Sequence, residues 1–259
     1  MKKYMLALGL SLLTVLGLFT GCSPKAETAS GSDSLKIVAT IFPEYDWVRQ
    51  VLGDRAGEVQ LTLLLDSGTD LHSYQPTAAD MLTIGECDLF LYNGGESDAW
   101  VERVLATAAN PDRRTLSVME VLGDSVLEED VVEGMQEAED HDHAEGEAHE
   151  EEADEHVWLS LRNARTACAE IARVLGELDP DHAAEYQTNA ENYMAELEAL
   201  DGEYTALAEN AARRTVLVGD RFPFRYLMDD YGLEYYAAFS GCSAETEASF
   251  ETIAFLSGK

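Results

Sequence analysis

The stretch LKIVATIFPEYDWVRQVLGDRAGEVQLTLLL, Leu35 to Leu65, decides the fold. Leu35 to Thr40 is a short apolar run of strand length, and Tyr45 to Leu52 spaces its apolar residues as an amphipathic helix does. Val59 to Leu65 is nearly continuous in apolar residues, as a strand covered on both faces should be. Strand, helix and strand with short joins form a unit whose strands run parallel. The alternation continues with a helix led by Pro76 through Leu82, a strand Leu89 to Tyr92, a helix Asp98 to Ala108 and a strand Thr115 to Val118. Ligands of such sheets bind beyond the carboxyl ends of the strands. His72 lies there, on the loop Asp66 to Pro76 that leaves the second strand.

Further along, Ala164, Ala167, Ile171, Val174 and Leu178 mark an amphipathic helix that stops at Asp179-Pro180. Tyr186, Ala190, Tyr193, Leu197, Leu200, Tyr204, Leu207 and Ala211 then keep helical spacing without a proline, Gly202 being the only local weakness. Such a helix spans on the order of 45 Å and reads as a backbone joining two lobes. A second alternation follows: strand Thr215 to Val218, helix Phe222 to Asp230, strand Glu234 to Phe239, helix Phe250 to Leu256. Two strands and two helices do not close a lobe, so a truncated chain is expected, an unusually small lobe being the alternative. The predicted class is α/β, with parallel sheets in two lobes joined by a long helix. The expected divisions are 1–22 as an export signal, 23–34 as a tether, 35–178 as the first lobe with an acidic loop at about 124–155, 179–213 as the linking helix and 214–259 as part of the second lobe.

The net charge of −33 over 259 residues argues against nucleic acid, whose phosphates repel such a chain. Lys2 and Lys3 precede an apolar run, Met5 to Phe19, too short for a stable membrane span. It ends in Phe19-Thr20-Gly21-Cys22-Ser23, which resembles a bacterial lipoprotein signal with Cys22 as the lipidated residue. Ser23 to Ser34, rich in Ser, Ala and Gly, reads as a flexible tether. A protein outside the cytoplasmic membrane, held to it by lipid, is therefore expected. Without Cys22 there remain Cys87, Cys168 and Cys242, which permit at most one internal disulfide. Cys87 and Cys168 read as buried small apolar residues, and Cys242, in a Gly-Ser loop, stays open.

Four of the six histidines fall between Asp140 and Ser160. His141, His143 and His149 are scattered among carboxylates in a low-complexity tract able to touch metal loosely. The glutamates near His156 read as part of that mobile tract. His156 itself meets Val157, Trp158 and Leu159, where a packed wall begins and a ligand can be held rigidly. A solvated loop followed by a core histidine is the plainer alternative. His72 tips the balance: two imidazoles at loop junctions, beside Tyr74 and Trp158, suit Zn(II), or with carboxylates Mn or Fe.

Gly68-x-x-x-His72-Ser-Tyr-x-Pro76, Tyr92-Asn-Gly94 with Trp100, Asp154-Glu-His156-Val-Trp-Leu and Tyr231-Gly-Leu233 together resemble the zinc/manganese solute-binding proteins of bacterial ABC importers. The resemblance runs from about Leu35 to Leu256. It implies two α/β lobes joined by a long helix, metal held in the cleft between them, lipid anchoring and delivery to a membrane permease. His72 and His156 fall on the first two ligand positions. The third position, five residues before Tyr226, holds Arg221, which cannot ligate a cation. Asp220 beside it is the preferred substitute, with Cys242 and Glu245 as alternatives; Asp220 as cap of a helix beginning near Phe222 is nearly as good a reading. The family's fourth, acidic ligand is expected beyond Lys259.

The leading expectation is a monomeric binding module for Zn(II), or Mn(II), that serves an importer and performs no catalysis. The rivals are a zinc metalloenzyme, for which no helical His-Glu-x-x-His pattern is present, and a surface metal buffer acting through the His tract.

Overall fold

Lys36–Ala39 (β1) stands inside the first sheet because Ile37, Val38 and Ala39 have no face to show to water. The structure, a computed structural model, describes residues 34–66, 68–106, 109–136, 152–243 and 247–259. β1 pairs in parallel with Gln60–Leu63 (β2) on one side and Leu89–Tyr92 (β3) on the other. Arg114–Ser117 (β4) extends the sheet beside β3, again in parallel, giving the order β2-β1-β3-β4. β3 is wholly apolar and buried through Leu89, Phe90 and Leu91. β2 departs from expectation: Gln60 is exposed and Leu61 to Leu63 are only half-buried. The reason is position, because β2 is the edge strand and lacks cover on one flank.

Phe42–Leu52 (α1) places Pro43 at its start, where the missing N–H costs nothing, and buries Trp47, Val48, Val51 and Leu52 at helical spacing. Ala78–Glu86 (α2) begins at Thr77, whose hydroxyl accepts from the Asp80 N–H while the Asp80 carboxylate accepts from the Thr77 N–H. Val101–Leu105 (α3) is far shorter than the sequence suggests; its first turn is a separate 3-10 turn at Glu96–Asp98. Val118–Leu122 (α4) follows β4.

Leu161–Leu178 (α5) buries the expected stripe of Ala164, Ala167, Ile171 and Val174 together with Cys168 and Leu175. Ala183–Glu209 (α6) runs 27 residues, on the order of 40 Å. Its first half packs against α5 and α1 through Tyr186 and Ala190. Leu200, Tyr204 and Leu207 in its second half are exposed among the described residues. Cys87 and Cys168 are free and fully buried, and burial pushes both thiols up to about 12. No helix among the described residues is long and apolar enough to cross a membrane.

The second sheet consists of Thr215–Phe222 (β5) and Glu234–Ser240 (β6), parallel, with Arg225–Tyr231 (α7) between them and Phe250–Ser257 (α8) after. β5 is four residues longer than the apolar pattern indicates. Val218 pairs with Ala237 and Arg221 with Phe239, so the stretch between carries one extra residue on β5, a bulge. Gly219, Asp220 and Arg221 therefore lie within the strand and not after it. The helix that follows begins at Arg225 with Phe224 at its N-cap and no side-chain cap bond, which removes a capping role for Asp220.

Candidate metal centre

His72 is placed by a single 3-10 turn, Leu71–Ser73. Leu71 is buried, and the Asp70 carboxylate accepts the His72 N–H at 3.1 Å. The His72 ring is fixed from the far side of the sheet's carboxyl edge: Nδ1 lies 2.9 Å from Ser97 Oγ and 3.4 Å from Glu155 Oε2. Ser97 donates from its N–H to Glu155 Oε1 at 2.7 Å and from its hydroxyl to Oε2. Asn93 holds the same segment, its Nδ2 donating to the Glu155 carbonyl at 2.8 Å. Gly95, with φ 83, makes this approach possible, because a Cβ there would lie 2.4 Å from Glu155 Oε1. Asn93, Gly95 and Ser97 thus form a clamp on Glu155, and Glu155 orients His72.

His156 is oriented by its own neighbour. Asp154 Oδ1 accepts from the His156 N–H at 2.8 Å and faces Nδ1 at 2.9 Å. Tyr226, from α7, donates its hydroxyl to the Asp154 carbonyl at 2.8 Å and accepts from the Leu127 N–H at 3.0 Å. Trp158 stands against the ring at 5.3 Å between centroids. Tyr74, in contrast, leans edge-on against Trp100 and donates to Asp80, so it braces the loop rather than the His72 ring.

The consequence is a pair of imidazoles whose Nδ1 atoms both face oxygen partners and whose Nε2 atoms face each other at 3.3 Å. With Nδ1 carrying the proton on each ring, two lone pairs point into one small space and repel unless a cation or a proton lies between them. Two nitrogens at ~2.0–2.1 Å from a tetrahedral zinc lie about 3.3 Å apart. The carboxylate-histidine arrangement behind them is the usual support of a metal-bound imidazole. The donor set therefore fits a divalent cation. The contact with Glu155 holds the His72 imidazole above its ordinary pKa, against the effect of burial. Burial pushes the Glu155 carboxyl up, but the bonds to His72 and Ser97 outweigh it and leave it below the usual range.

Cys242 joins this pair: one ligand atom from each of His72, His156 and Cys242 lies within 4.8 Å of the other two. Asp220 does not. It is exposed on the rim of a cleft of about 830 Å³ that His72 and His156 also line, and its Oδ1 accepts from the Arg221 N–H at 2.8 Å. Arg221 spans the cleft, with Nη1 3.5 Å from Asp70 Oδ2. The glutamates near His156 are expected in a mobile tract; Glu155 is instead 3% exposed, as is Asp154 beside it. Their signal was their adjacency to His156 and the apolar run behind it. Ser97, Gly95 and Gly241 carried no metal signal in the sequence, since their roles exist only through contacts across the fold. Cys22, His141, His143, His149 and Glu245 lie outside the described residues.

A family model described as "ZnuA: Zinc-uptake complex component A periplasmic" matches residues 37–259. The zinc-binding lipoprotein AdcA of Streptococcus pneumoniae is 34% identical over 256 residues, covering 99% of this chain and 48% of that protein. The high-affinity zinc uptake system protein ZnuA of Bacillus subtilis is 31% identical, covering 90% of this chain and 70% of that one. The chain thus spans about half the length of the streptococcal relative. Among solved structures, the Zn(II)-bound ZnuA-like domain of Streptococcus pneumoniae AdcA superposes with a TM-score of 0.66 at 28% identity, over 87% of this chain and 74% of that one.

Proposed function

The chain belongs to the periplasmic zinc-uptake component A family, and from that premise we propose that it captures Zn(II) outside the cytoplasmic membrane and passes it to the permease of an ABC importer. One observation carries this reading: two imidazoles whose Nε2 atoms stand 3.3 Å apart, each with Nδ1 tied to an oxygen partner. Rigid neutral imidazoles suit zinc.

Residues 35–178 are the lobe that carries His72 and His156, 179–213 the helix leading out of it, and 214–259 a lobe that closes over the cation. The family is one of transport proteins, and binding with release needs no catalytic group. Cys22 is the lipid attachment site, the protein acts as a monomer, and His141, His143 and His149 form an auxiliary collector of weakly held ions. A collector of that kind has composition but no rigid support, so it does not replace the paired imidazoles.

The test is competition titration against a zinc chelator. His72→Ala and His156→Ala should each abolish tight binding while circular dichroism shows an intact fold. Wild-type affinity in both variants defeats the reading.

A further inference from the structure

Resting on that reading, we infer that Cys242 is a thiolate ligand of the same cation, so that the tight site is a two-nitrogen, one-sulfur set that selects Zn(II) against Mn(II). The position is built from two sides. Gly241 is pressed onto the His156 ring: a Cβ there would lie 2.7 Å from Cε1 and 2.9 Å from Nδ1. Only glycine lets the turn after β6 come this close, and the next residue is the cysteine. On the other side the Cys242 N–H donates to Glu129 Oε1 at 3.2 Å. Glu129 is itself held, its N–H donating to the Glu152 carbonyl at 2.7 Å beside the bridge between Glu128 and Ala153. The Cys242 backbone is thus anchored to the same strip of chain that leads into Asp154, Glu155 and His156.

The distances fit ligation. Around a tetrahedral zinc, with Zn–S near 2.3 Å and Zn–N near 2.0–2.1 Å, sulfur and nitrogen stand about 3.6 Å apart. From within 4.8 Å, Sγ needs to close by about 1.2 Å at most. Cys242 sits on the second sheet's turn and the histidines on the first lobe, so this closure draws the two sides of the cleft together. On binding, the thiol proton leaves to solvent and the sulfur lone pair goes to the metal. Asp220, the carboxylate expected in this role, points to its own strand, and Cys87 and Cys168 are fully buried in the core. Thiolate sulfur favours zinc, whereas manganese favours oxygen.

Cobalt(II) reports the sulfur directly. The full-length protein loaded with one equivalent of Co(II) should show a sulfur-to-cobalt charge-transfer band in the near ultraviolet, which Zn(II) bleaches. Cys242→Ser should lose the band and lower zinc affinity by more than about 100-fold, above the range for losing an outer partner. Retention of the band in Cys242→Ser, or a Co(II)-loaded wild type without it, overturns the inference. If the serine variant also keeps wild-type zinc affinity while His72→Ala and His156→Ala lose theirs, Cys242 is excluded and the proposed function stands. Undiminished affinity in the histidine variants removes the proposed function itself.

Discussion

The two walls of the cleft are made differently. On the first-lobe wall, His156, Asp154 and Glu155 are 4%, 3% and 3% exposed, and each ring nitrogen that faces away from the cleft meets an oxygen partner. On the facing wall, Asp220 is exposed on a bulged strand and Arg221 reaches across to an exposed Asp70 at 3.5 Å. The first wall fixes its groups before a cation arrives, whereas the strand β5 leaves Asp220 to solvent. A ligand must be held within a fraction of an ångström to favour one metal, so burial and outer bonding, not the mere presence of an acid near the cleft, separate a ligand from a rim charge.

The comparison can be sharpened by removing the outer bonds while leaving both imidazoles in place. Asp154→Asn and Glu155→Gln should each cost about 10–100-fold in zinc affinity, read by the same competition titration. Losses below about twofold in both would show that the buried carboxylates do nothing for the metal.

Glu155 also sets the pH response. Zinc requires neutral imidazoles, and the Glu155 contact holds the His72 imidazole above its ordinary value. Protons therefore compete from a higher pH than at an unperturbed histidine. Apparent affinity should begin to fall, as pH is lowered, above about 6.5. Glu155→Gln removes the cause, so its midpoint should move to lower pH even as affinity at neutral pH drops. A midpoint unmoved by the substitution contradicts the assigned cause.

The smallest effect belongs to the exposed wall. Asp220→Asn should change zinc affinity by about twofold or less, as expected for one screened surface charge. A loss comparable to that of the Asp154 or Glu155 variants would make Asp220 a ligand and erase the distinction between the walls.

Much of this was legible in the sequence, for reasons that differ from residue to residue. The strand Leu89–Tyr92 and the end of α5 at Leu178 agree with their apolar patterns because both are decided by local periodicity and a clear stop. The apolar run of β5 ends at Val218, whereas pairing with β6 carries the strand through Gly219 and Asp220 to Phe222 regardless of side-chain polarity. His72 and His156 stood out by residue type and position. Asp154 and Glu155 were hidden inside an acidic run, where only the three-dimensional approach of Asn93, Ser97 and Tyr226 distinguishes a buried carboxylate from a solvated one. Gly241 gave no signal, since its importance is the ring that it lets come near.

Zinc X-ray absorption fine structure on the wild-type protein, loaded below one equivalent so that only the tightest site fills, tests the central claim most directly. The paired-imidazole account predicts two imidazoles at ~2.0–2.1 Å in the zinc coordination sphere. A sphere of oxygens with one imidazole or none would contradict it.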